Sequence, residues 1–134
     1  MSANNSDATL KHLKELRQHL LRLHKALLDS ERVAYEQVHG SIQSNGEFLR
    51  LVIGHEWFSW LSPMSKFIVQ IDEVLFSKES VSQEQINSLF KEAKEVVPAH
   101  NEDSTLPQRY QDAIQRDPNV GSIYAQVSQI IKKV

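Results

Sequence analysis

Leu13-Lys14-Glu15-Leu16-Arg17-Gln18-His19-Leu20-Leu21-Arg22-Leu23-His24-Lys25-Ala26-Leu27 decides the fold. Leu13, Leu20, Leu27 and then Ala34 recur every seven residues, and Leu16 and Leu23 fill the three-four alternation between them. That is the period of a helix with one buried face, and it excludes a half-buried strand, whose period is two. The pattern predicts a first helix from about Asp7 to His39. Ser6 or Asp7 would cap its start, because a short side-chain oxygen accepts from an orphan amide. Gly40 would close its end, where a left-handed residue is needed.

The same pattern continues outward from this helix. Ser44-Asn45-Gly46-Glu47 reads as a capping box opening a second helix. Leu49, Ile53, Trp57, Trp60, Met64, Phe67, Ile71 and Leu75 then hold one phase across Pro63. The phase predicts a kinked but continuous helix ending near Phe76. The alternative is a restart with Pro63 in the first turn. Ser82 and Gln85 form another box ahead of Ile86, Leu89, Phe90, Ala93 and Val97, and Pro98 ends that helix. Ala99 to Thr105 is the most polar stretch and reads as a mobile loop. Thr105 with Gln108 opens a fourth helix through Tyr110, Ala113, Val120, Tyr124, Val127, Ile131 and Val134, with a kink or break at Asp117-Pro118. The expected fold is all-α, a single-domain up-down-up-down four-helix bundle with a long first hairpin and proline kinks or breaks in helices two and four.

Composition agrees with one small globular domain. The chain has 134 residues, 40% hydrophobic and 24% charged, with Gly 4 and Pro 4. With 0 Cys there are no disulfides, thiolate metal sites or thiol nucleophiles. Lys plus Arg is 15 against 17 Asp plus Glu, a net charge of -2, so no basic footprint for nucleic acid exists. Met1 to Thr9 lacks the basic and apolar regions of a signal peptide. The most apolar stretch, Phe48 to Leu61, is interrupted by Arg50, His55 and Glu56 and falls short of a membrane span. The expectation is a soluble cytoplasmic protein that touches neither nucleic acid nor membrane.

Two features bear on function. The first lies on helix one, where Arg17, His24 and Glu31 follow Leu10 at heptad spacing and run between two apolar stripes. Charge on an apolar face must be paired, ligated or placed at a wet cavity. If the first hairpin turns near residues 40–46, paired positions sum to roughly eighty-five, with wide error. Arg17 then meets Asp72 in a structural ion pair, Glu31 lies near His55 and Glu56, and His24 lies near Trp60 and Leu61. His24, Glu31 and Glu56 are thus the candidate ligand or metal residues. No cofactor is otherwise implied. A di-iron site needs Glu-x-x-His on two helices, and only Glu36-Gln37-Val38-His39 matches. His12, Glu15 and His19 share one side of helix one and read as a solvated triplet. Glycine-rich phosphate loops, G-x-S-x-G and H-E-x-x-H are all absent from the sequence.

The second feature is the opening of helix two. Phe48, Leu51, Val52, His55 and Phe58 lie opposite or beside the Ile53/Trp57 face, so that half-helix is apolar nearly all round. A helix apolar on every side asks to be buried on every side. These five residues therefore form the candidate interface of a homodimer or of a protein partner.

Leu23 to Arg32, Trp57 to Pro63, Ile71-Asp72-Glu73 and Arg109 to Ala113 together resemble a small uncharacterised bacterial family of helical bundles. The resemblance implies a bacterial cytosolic bundle and carries no activity. Two readings of function follow. One is a non-enzymatic bundle acting through self-association or partner docking. The other is a bundle binding a small ligand or metal along the polar line of helix one.

Overall fold

A computed structural model describes residues 2–97 and 107–132, with side chains from residue 8 onward. Among them are six α-helices, one 3-10 helix and no strand. These are α1 (Ser2–His39), α2 (Asn45–Gly54), the 3-10 helix (Glu56–Leu61), α3 (Ser62–Leu75), α4 (Gln83–Val96), α5 (Gln108–Arg116) and α6 (Pro118–Lys132). The polar stretch Ala99 to Thr105 lies outside the described residues. No helix among them is long and apolar enough to cross a membrane.

Helix α1 is the spine. At ~1.5 Å per residue its 38 residues run about 57 Å. It packs against α3, α4, α5, α6 and the 3-10 helix. Leu13, Leu16, Leu20, Leu23 and Leu27 are all at 0% exposure, the stripe that the spacing predicts. They meet Met64, Phe67 and Ile71 of α3, Ile86 and Phe90 of α4, and Val120, Tyr124 and Val127 of α6. Gly40 sits at φ 90 and its N–H closes on the Glu36 carbonyl at 2.9 Å, so the glycine ends α1 as expected. The start differs: α1 begins at Ser2, so Ser6 and Asp7 lie inside it, and their side chains are outside the described ones.

The boundaries of α4 follow its capping residues. The Ser82 hydroxyl accepts from the Gln85 N–H at 3.1 Å, and the Gln85 side chain accepts from the Ser82 N–H at 2.9 Å. At α2 the box is shifted: Ser44 accepts from the Glu47 N–H at 3.1 Å, but the Glu47 carboxylate accepts from Gln43 at 3.0 Å. The fourth expected helix is two. Asp117 is extended between them, and its carboxylate accepts from the Asn119 N–H at 3.0 Å, with Pro118 opening α6. Helix α5 begins at Gln108, after Pro107; Thr105, expected to open it, lies outside the described residues.

The largest correction concerns the second expected helix, which is not continuous. It breaks at His55, which adopts φ -94, ψ 137, and Pro63 falls harmlessly in the first turn of α3. The intervening 3-10 helix has three residues per turn instead of 3.6, so the apolar phase rotates before α3 begins. Consequently Leu49 (58% exposed) and Ile53 (78%) face outward, although the continuous phase placed them in the core. Trp57 and Trp60 are half-buried, and Phe58, expected at an interface, is 1% exposed in the core.

Candidate functional site

The polar line of α1 separates into three environments. Arg17 pairs with Asp72 across α1 and α3, the partner the hairpin register predicts. Its guanidinium also lies 5.6 Å from the Phe76 ring centroid. His24, seven residues on, is half-buried and opens on a cleft. Burial pushes its imidazole below the usual 6.5, because desolvation disfavours the charged form. Glu31 is 1% exposed and is the most deeply buried charged side chain described.

Glu31 is a joint between three elements. Its Oε2 accepts from the Trp57 indole Nε1–H at 2.7 Å and from Arg109 Nη1 at 3.2 Å. Its Oε1 accepts from Arg116 Nη2 at 3.5 Å, while Arg116 Nη1 reaches the Ser30 carbonyl at 3.4 Å. The Arg109 guanidinium also lies 5.3 Å from the Trp57 ring centroid. One carboxylate thus ties α1 to the 3-10 helix and to both ends of α5. Both oxygens are committed, which is how a buried charge is tolerated.

An aromatic layer surrounds this joint. Tyr35 meets Trp57 edge-on at 5.7 Å, His55 at 5.4 Å and Phe58 at 5.7 Å. His55 caps the 3-10 helix: its Nδ1 accepts from the Trp57 N–H at 3.0 Å, which leaves the ring proton on Nε2. Phe48 lies under the Arg32 guanidinium at 4.8 Å and against Phe58 at 5.7 Å. Trp60 instead meets Tyr110 at 5.2 Å, and its buried indole N–H has no acceptor among the described residues.

The candidate ligand residues His24, Glu31 and Glu56 do not converge. Glu56 is exposed at the start of the 3-10 helix, and its carbonyl accepts from Ser59. Among the described residues no group of three His, Cys, Asp or Glu side chains could hold a metal. Glu36, of the lone Glu-x-x-His match, accepts from the Ile42 N–H at 2.8 Å. In the α1 triplet, His12 stacks on Phe90 at 5.0 Å, and His19 donates to the Glu15 carbonyl at 2.8 Å.

The candidate interface divides in the same way. Phe48, Leu51, Val52 and His55 are half-buried and Phe58 is buried, whereas the outward residues are Leu49 and Ile53. Helix α2 has no buried residue; it packs on the 3-10 helix, and its Phe48 lies under Arg32 of α1. Between α1, α2, the 3-10 helix and α3 lies a cleft of about 430 Å³.

Nothing in the hairpin register points from Glu31 to Arg109 and Arg116. A signal existed: they are seven residues apart, so both lie on one face of one helix, as His24 and Glu31 do. No protein-family model, curated protein or solved structure matches the chain.

Proposed function

We propose that this protein is a non-enzymatic helical bundle that self-associates through the outward face of α2. In this reading the bundle has four rods, the second built from α2, the 3-10 helix and α3, and the fourth from α5 and α6. The observation that carries it is Ile53 at 78% exposure with Leu49 at 58%, one helical turn apart on a helix with no buried residue. A ten-residue helix of this kind contributes little to its own core, and paired exposed apolar side chains mark interfaces.

The chemistry of α2 suits a second copy of itself. A two-fold pairing about its C-terminal half sets Leu49 of one copy against Ile53 of the other. Such a patch is self-complementary, as an isologous contact requires. The helix carries one acid, Glu47, and one base, Arg50, so it has no net charge of its own.

Sedimentation velocity of the wild type and of Ile53→Asp tests the reading. The wild type should sediment as a dimer at micromolar concentration and the variant as a folded monomer. A wild type that stays monomeric at high micromolar concentration, or a variant that dimerises equally well, refutes it. The second reading, ligand binding along α1, draws support from the cleft beside His24 rather than from Glu31.

A further inference from the structure

We infer that the cleft between α1, α2, the 3-10 helix and α3 binds a small aliphatic carboxylate, its head on Lys66 and its chain against the apolar wall. The cleft, about 430 Å³, lies within the ~300–1,000 Å³ range of small-molecule sites. Its wall is Val52, Phe58 and Leu61, with the outward Ile53 only at its mouth; Phe58 and Leu61 belong to the core, so its floor is fixed.

The polar side is donor-rich. His24, Ser62, Ser65 and Lys66 line it, and no hydrogen bond or ion pair engages any of the four side chains among the described residues. They come from two elements: His24 from α1, the others from consecutive turns of α3. The fifth polar residue, Ser59, already donates to the Glu56 carbonyl at 2.8 Å. No carboxylate lines the cleft. A cation-bearing site free of acidic side chains, backed by apolar side chains, selects an anion with a hydrocarbon tail.

The charge count narrows the head group. Lys66 supplies one permanent positive charge, and burial holds His24 neutral, so the site balances a single negative charge. A carboxylate fits that count, whereas a phosphate dianion leaves one charge unbalanced. His24 lies within the same lining, so a bound carboxylate reduces, without reversing, the preference of its imidazole for the neutral form.

Octanoate, below its micelle concentration, is the probe. Titration followed by calorimetry and by the NMR signals of His24 and Lys66 should show saturable one-to-one binding and an upward shift of the His24 titration. Lys66→Gln should weaken binding about ten-fold or more, as loss of a charge-assisted contact does, and Lys66→Arg should restore most of it. Lys66 is exposed, so circular dichroism of both variants should match the wild type. Octanol or octylammonium binding as tightly as octanoate, no saturable binding, or an unchanged affinity in Lys66→Gln overturns the proposal. Tighter binding of octyl phosphate overturns the carboxylate assignment. Self-association is read separately by sedimentation: a monomer that binds octanoate retires the α2 interface alone, and a dimer that does not bind retires only the cleft.

Discussion

Removing the Glu31 carboxylate should be among the costliest single changes in this protein. Glu31→Ala leaves the Trp57 indole N–H without its acceptor and leaves the facing guanidinium groups of Arg109 and Arg116 uncompensated. Breaking a buried ion pair from one side costs about 3–5 kcal/mol. The arginine side chains are 43% and 27% exposed, so both regain water in the variant, which favours the lower end, about 3 kcal/mol. Glu31→Gln keeps the shape and one acceptor for Trp57. Its amide must then point NH2 at a guanidinium, donor against donor, so it is not silent. About 1–2 kcal/mol is expected, as for a lost hydrogen bond with partial desolvation. Urea denaturation followed by tryptophan fluorescence is the assay. With a slope of about 2 kcal/mol/M, the alanine variant should unfold about 1.5 M earlier, and the glutamine variant about 0.5–1 M earlier. A double-mutant cycle with Arg116→Ala should show coupling of about 0.5–3 kcal/mol. An alanine variant that loses under about 1 kcal/mol, or a coupling near zero, refutes the view that this carboxylate joins α1 to α5.

Phe58→Ala should cost about 3–5 kcal/mol as a core deletion, whereas Trp57→Phe, which keeps a ring but removes the N–H on Glu31, should cost about 1.5–3 kcal/mol; chemical denaturation of the pair checks the order. Because burial lowers the His24 imidazole below its ordinary 6.5, the unfolded chain binds more protons than the folded one between the two values. Stability contributed by neutral His24 is complete above pH 6.5 and is lost as pH falls through the folded value. The urea midpoint should therefore drop from pH 8 to pH 5, and His24→Gln should shrink that drop. Asp117→Ala removes the acceptor for the Asn119 N–H and should cost about 1 kcal/mol, read as a lower melting temperature with unchanged helix content at 20 °C.

What the sequence by itself determined is local or periodic. The leucine stripe of α1 fixes a helix and its buried face, because side chains at three-four spacing share a face regardless of what covers them. Gly40, the Ser82–Gln85 box and Asp117-Pro118 mark element ends because the missing hydrogen bonds there are met within a few residues. The heptad line placed Glu31 on the buried side, and the hairpin register placed Arg17 on Asp72. Only the tertiary structure decided where the second helix breaks. Gly54-His55 and Pro63 are each compatible with a break, and the Tyr35 layer around the capping imidazole belongs to a different helix. That break rotated Leu49 and Ile53 to the surface and Phe58 into the core. The seven-residue spacing puts Arg109 and Arg116 on one face, but their meeting with Glu31, 78 and 85 residues away, is decided by the tertiary structure. Periodicity says which side chains leave water together; it does not say which distant donors meet them, because that depends on the helix crossing geometry set by the whole core.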